Sequence, residues 1–319
     1  MKPVAALVLV GLLGLSRGGA GYPASEHSPY PAGVAPARLA TPVGTDFPSR
    51  SIQVTPVARP ALSGDAISVT TRSGKLVSIP GGCASVDGAY NVTLHFHGVP
   101  KKVEASFKRA GVPGVLVVIN LGIGSGKYEK AFARAGALET MLQKVDDVVG
   151  EQCPQADHHV GRVALSAWSA GYGAVYRVLF HTDEADRVDA VLLSDGLHVG
   201  FSEKGYRQVD PLQMEPYDRF ADEAVDGLKL MAITHSSIVT PKYADTTETG
   251  DYLLRSHGVA QESENRPGPI KGMVEVSHGE KSGLSITGYA GADKKAHCHQ
   301  LDSIGRTLFP RLAQRWSER

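Results

Sequence analysis

The chain has 319 residues, 33 basic and 33 acidic side chains for zero formal net charge, and 42% hydrophobic residues. Balanced charge with no Lys/Arg-dense stretch leaves no electrostatic footprint for phosphate backbones or anionic lipid surfaces, so nucleic acid is excluded as an expected partner. The length supplies one sizeable core and not two large catalytic domains.

The first 20 residues open with Lys2, continue through an apolar run over residues 4–15, and reach small residues at Gly18 and Ala20. This is the pattern of a secretory signal peptide cleaved near Ala20. The run is too short for a hydrocarbon core of about 30 Å, so no stable membrane anchor is expected and the location is secreted or periplasmic. Residues 21–65 are rich in Pro, Ala and Ser with few large apolar side chains, a spacer that cannot bury enough surface to order itself. The folded domain is expected over residues 66–319. Export places the three cysteines in an oxidising compartment, where one disulfide and one free thiol account for the odd count. Cys83 and Cys153 lie in loop-like text, GGCAS and EQCPQ, and are the expected pair; Cys298 sits in HCHQL.

Within the domain, residues 92–98 read as a strand, 103–111 as a short helix and 114–120 as a second strand. Phe132, Leu138, Met141, Leu142 and Val145 at helical spacing predict one long helix over about 127–149. A strand and helix surround Ser169, further strands fall at 188–195 and 228–235, and 273–291 reads as an antiparallel hairpin. A final helix is expected from about His297 to Trp316. Residues 234–254 are hydroxyl-rich and read either as a substrate loop or as a surface excursion; 256–269 reads as an exposed loop. Alternating apolar and amphipathic runs imply crossovers and an α/β fold, a mostly parallel sheet with helices on both faces. Sites in such sheets lie beyond the carboxyl ends of the strands. His95, His97, Asn120, Ser169, Asp195 and His235 all fall at or just after such ends.

The most informative stretch is RVALSAWSAGYGAVYRVLF at residues 162–180. It sets Ser169 between a strand-like run and an Ala/Gly-rich helical run, the pattern of a nucleophile elbow in which the next N–H, that of Ala170, points where an oxyanion would form. A-W-S-A-G departs from G-x-S-x-G at Ala167, the smallest side chain able to replace glycine. The alternative is a crossover whose small residues only permit close packing. His95 and His97 have the spacing of a metal pair, but no third ligand is nearby and no metal is expected. GIGSGKY at 122–128 is out of register for a phosphate loop, with Tyr128 where Ser or Thr is required, so no nucleotide or other cofactor is expected. Asn120 and Tyr128 are better placed on a substrate-pocket wall.

Four pieces, LHFHG (94–98), SAWSAGYG (166–173), LLSDGLH (192–198) and AHCHQL (296–301), together resemble the α/β-hydrolase superfamily over residues 66–316. The resemblance implies an α/β-hydrolase-like three-layer sandwich with nucleophile, acid and histidine in the chain order Ser169, Asp195, His297. It implies one oxyanion N–H from the loop of His97 and Gly98 and a second from Ala170. His299 is the alternative base, and Asp245 and Asp251 are alternative acids, because the superfamily often places its acid one strand later. The implied activity is an exported serine hydrolase that forms an acyl-enzyme on Ser169 from a small-molecule, cell-wall or peptide ester or amide. The competing readings are a metal-dependent hydrolase using His95 and His97, and a non-catalytic binding protein.

Overall fold

The computed structural model describes residues 65–203 and 206–318. The expected signal peptide and nearly all of the spacer lie outside the described residues. The described residues open with a hairpin of β1 (Ile67–Thr70) and β2 (Leu76–Ile79), then β3 (Gly88–Phe96), α1 (Pro100–Ala110), β4 (Val115–Ile119), α2 (Ser125–Ala131), α3 (Ala137–Gln152) and β5 (His158–Trp168). There follow α4 (Tyr172–Phe180), α5 (Thr182–Arg187), β6 (Val188–Ser194), α6 (Pro211–Val225), β7 (Leu230–His235) and α7 (Thr246–Ser256). The chain closes with β8 (Glu262–Pro267), β9 (Val274–Lys281), β10 (Leu284–Tyr289), α8 (Lys294–Ser303) and α9 (Leu308–Ser317).

The ten strands among the described residues form one sheet in the order β1-β2-β4-β3-β5-β6-β7-β10-β9-β8. From β4 to β10 every neighbouring pair is parallel; β1, β2, β9 and β8 extend the two edges antiparallel. Side-chain alternation along the central strands splits the core in two. Val92, Leu94, Phe96, Leu165, Ala167 and Leu193 pack with residues of α2, α3, α4, α6 and α7. Ala164, Ala190, Leu192 and Ala232 face the other way, onto Phe107 of α1 and Phe309, Leu312 and Trp316 of α9. The result is a three-layer α/β sandwich, as expected, with each buried large side chain contributing about 1.5–3 kcal/mol. Cys83 and Cys153 are joined as a disulfide, and Cys298 is the free thiol among the described cysteines.

Four local expectations are corrected. The single helix over 127–149 is two, α2 and α3, with Gly136 at φ 80° turning the chain between them; the apolar spacing ran through the break because both pieces bury residues in the same core. The final helix is also two, α8 and α9. Gly305 sits in the gap, where an added Cβ would lie 2.8 Å from the Ser106 carbonyl oxygen, so only glycine lets this turn pack so closely on α1. The exposed loop at 256–269 contains β8, an edge strand that is solvated along nearly its whole length and therefore carries no alternation. The hydroxyl-rich segment 234–254 enters α7, begun by a capping box in which Asp245 and Glu248 bond each other's backbone N–H.

Candidate active site

Parallel strands β3, β5 and β6 are neighbours, and each ends in a sharp turn. Among the described residues, five other than glycine have positive φ, and three of them stand at these ends: His97 at 70°, Ser169 at 50° and Asp195 at 45°. Such conformations cost about 1–3 kcal/mol each and concentrate where geometry serves a function. Ser169 directly follows β5 and begins one 3-10 turn that leads into α4. Ala170 lies in that first turn, where backbone N–H groups have no helical acceptor. Two glycines make the turn possible: a Cβ on Gly171 would sit 2.1 Å from the Phe96 carbonyl oxygen, and one on Gly196 would sit 2.4 Å from that of Ser169. Ala167, by contrast, is a buried β5 residue whose methyl belongs to the core, so glycine is not required there.

Register sets Trp168 beside Ser194, so the residues that follow, Ser169 and Asp195, emerge side by side. Asp195 is 5% exposed. Its Oδ1 accepts from the Ser236 N–H at 2.8 Å and from Ser236 Oγ at 3.0 Å, and its Oδ2 accepts from Ser236 Oγ at 2.8 Å and from His297 Nδ1 at 2.6 Å. Burial pushes the Asp195 carboxyl upward, but the hydrogen bonds from His297 and Ser236 together outweigh it and hold the group below its ordinary value. Asp195 is thus an anion at neutral pH, and with Nδ1–H committed to it, His297 keeps its basic lone pair on Nε2. The Ser169 hydroxyl has no hydrogen-bond partner among the described residues; such bonds commonly tighten only when substrate is present.

The neighbouring loops converge on the same edge. Asn120 Nδ2 donates to the Gly98 carbonyl at 2.9 Å and Asn120 Oδ1 accepts from the Gly122 N–H at 3.1 Å, which ties the loop after β4 to the loop after β3. Tyr128 is buried; its hydroxyl lies 2.9 Å from His97 Nδ1 and accepts from the Leu121 N–H at 3.0 Å. Burial lowers the pKa of His97, keeping it neutral, and raises that of Tyr128. Gly98, at φ 116°, packs against the side chain of Leu301.

The remaining predicted residues lie elsewhere. Both His297 and His299 are inside α8, which begins at Lys294, ahead of the expected start at about His297. Only His297 meets Asp195; the His299 ring faces Gly272. Asp245 caps α7 and pairs with Arg207 at 3.2 Å, and Asp251 accepts from Gln261. His95 is fully buried, bonded through Nδ1 to Ser166 at 2.9 Å and edge-on to Phe309; burial lowers its pKa to about 3. The Nδ1 atoms of the H-x-H pair are therefore each committed to a protein partner. His235 is buried beside Thr247. Sequence reasoning missed Ser236, which supports Asp195, and Trp168, whose ring lies against His297. The D-T-T-E pattern at 245–248 was a readable capping signal that marks Asp245 as a helix cap.

No protein-family model matches the sequence, and no curated protein matches it. The fold is similar to solved structures at low identity. An S-formylglutathione hydrolase from Agrobacterium tumefaciens matches with 11% identity and a TM-score of 0.41, over 77% of this chain and 93% of that one. An uncharacterised protein from Capnocytophaga ochracea matches with 10% identity and a TM-score of 0.43, over 77% and 64%. A carboxylesterase from Lactobacillus plantarum matches with 13% identity and a TM-score of 0.37, over 80% and 96%. Likenesses at this level carry no activity over to this chain.

Proposed function

We propose that this protein is an exported serine hydrolase that cleaves an ester or amide through an acyl-enzyme on Ser169. The observation that supports it is the 2.6 Å hydrogen bond between His297 and a buried, ionised Asp195, on a strand end adjoining a serine held at positive φ. In this reading His297 Nε2 takes the hydroxyl proton as Ser169 Oγ attacks the substrate carbonyl, and Asp195 stabilises the resulting imidazolium. The Ala170 N–H and an N–H of the 97–98 loop bear on the developing oxyanion. His297 then gives its proton to the leaving group, and the same base activates water to release the acyl group. Asn120 and Tyr128 set the loops that wall the acyl pocket. In this reading Ser169, His297, Asp195 and the backbone N–H groups supply nucleophile, base, acid and oxyanion donors, so the chemistry calls for no cofactor. The substrate is a small-molecule, cell-wall or peptide acyl compound.

The test is covalent labelling by a fluorophosphonate probe together with a panel of chromogenic esters and amides. Labelling of the wild type and its loss in Ser169→Ala, with an unchanged circular dichroism spectrum, is the expected result. Label retained by Ser169→Ala would refute the assignment. The proposed export is checked by mass spectrometry of the mature N-terminus, expected just after Ala20.

A further inference from the structure

Trp168 ends β5 directly before the serine and packs, half-buried, against the core on the α1 and α9 face of the sheet. Its side chain also stacks with two imidazoles. His97 stacks on the indole with ring centroids 5.1 Å apart and planes 8° from parallel, and His297 stacks on it at 4.8 Å and 29°. The indole N–H donates to the backbone carbonyl of His297 at 3.1 Å, which fixes the ring to the helix that carries the histidine. The last residue of the nucleophile strand therefore holds the base of a different element, 129 positions away in sequence.

Resting on the serine-hydrolase reading above, we propose that Trp168 is a positioning residue. It clamps the His297 ring over the strand end, and its π face stabilises the imidazolium that forms when Ser169 gives up its proton. The face of an indole attracts a cation, more strongly when the site is partly desolvated. Of the two imidazoles it touches, only His297 has a carboxylate on its other edge; His97 is bonded to the Tyr128 phenol and is kept neutral by burial. The positive charge thus develops on one of the two stacked imidazoles alone. The charged or titratable groups around His297 are Asp195 at the end of β6, His97 beyond the indole, His198 on the loop after Asp195, and Asp293, Lys294 and Lys295 on its own helix end. Of these only His97 touches the indole, so its ring resonances are followed alongside those of His297, and a change in His297 titration with His97 still neutral reports the indole.

The test compares Trp168→Phe, which keeps a π face without the N–H, and Trp168→Leu, which keeps apolar bulk without either. Removing cation stabilisation lowers the pKa of the base. Trp168→Leu is therefore expected to lose about 2- to 30-fold in kcat with little change in KM, while the acidic limb of its kcat/KM profile moves to lower pH. Trp168→Phe is expected to fall between Leu and wild type. A direct reading comes from the His297 ring resonances, assigned with His297→Gln, whose titration midpoint is expected to drop in Trp168→Leu. A residue that only filled space would reduce the fraction of probe-reactive enzyme and leave the midpoint and the limb where they were; that outcome overturns the proposal. A wild type that takes no fluorophosphonate label would instead refute the serine-hydrolase reading itself, and labelling with an unmoved midpoint refutes the role of Trp168 alone.

Discussion

Asp195→Asn probes the site most sharply, because the structure dictates how the amide must sit. The backbone N–H of Ser236 points at Oδ1 from 2.8 Å, so the amide oxygen takes that position and the NH2 group takes that of Oδ2. There it faces His297 Nδ1 at 2.6 Å. Two N–H donors cannot face each other, so the imidazole must shift its proton to Nε2 and present Nδ1 as an acceptor. The nitrogen that should receive the Ser169 proton is then already protonated. The imidazolium also loses its carboxylate. A loss of about 10⁴ in kcat follows, equivalent to about 5 kcal/mol of transition-state stabilisation. Thermal stability is expected to change little, since Ser236 Oγ can rotate to accept from the new NH2. The assay is turnover of the best ester or amide from the panel, alongside the rate of fluorophosphonate labelling, for Asp195→Asn and Asp245→Asn. The second variant keeps a helix-capping side chain and touches neither imidazole nor serine, so its rate is expected to stay within about threefold of wild type. Near-normal turnover by Asp195→Asn with collapse in Asp245→Asn would refute the reasoning and move the acid to α7.

Two further outcomes test the scaffold. The disulfide closes a loop spanning 70 positions, so Cys83→Ser combined with Cys153→Ser is expected to cost about 4 kcal/mol by the chain-entropy relation and to lower Tm by about 8–16 °C, read by calorimetry under oxidising conditions; an unchanged Tm would show the crosslink to be energetically idle. Glu280 is held at about 2, first by its hydrogen bond with His278 and then by Arg311, whose guanidinium bonds both carboxylate oxygens at 3.0 and 2.9 Å. Because its folded pKa lies below the unfolded value, its contribution is complete above about pH 4.5 and is lost as pH falls toward 2. The stability gap between wild type and Arg311→Gln in urea titrations should therefore shrink across that window and stay constant above it.

The parts of the site that were legible in the sequence are those written in local text. Ser169, Asp195 and His97 each follow an apolar run with a small residue close by, and that combination gives both the strand end and the turn. His297 was legible only through chain order, since α8 buries the distinction between it and His299: both are helical, and only the tertiary packing of α8 decides which ring reaches Asp195. Ser236 and Trp168 were illegible for the same reason. Their roles depend on partners 41 and 129 positions away, and neither carries a periodic or spacing signal. β8 escaped because an edge strand of Glu, Ser, Asn and Arg has no hydrophobic face to alternate. Arg207, at φ 53°, ties the loop after Asp195 to Glu248 and Asp245 at the start of α7, a contact that only the folded chain creates.

The positive φ values explain why the site stands where it does. A strand that continued into an ordinary loop would carry its next side chain outward along the strand direction. By turning left-handed at once after Phe96, Trp168 and Ser194, the chain instead raises His97, Ser169 and Asp195 over the sheet edge within a few residues of the core. The strain is offset by backbone bonds to the next strands: the His97 N–H to the Ile119 carbonyl at 3.0 Å and the Asp195 N–H to the Thr234 carbonyl at 2.7 Å. The His97 and Asp195 turns are thus each locked by the parallel neighbour on one side. The glycines at 171 and 196 let the turns approach within contact of one another, since any side chain there would strike the Phe96 or Ser169 backbone. Three positive-φ turns on adjacent strands, two of them bonded to a neighbouring strand and all packed against one another through Gly171 and Gly196, give a candidate site whose geometry rests on the sheet more than on the loops around it.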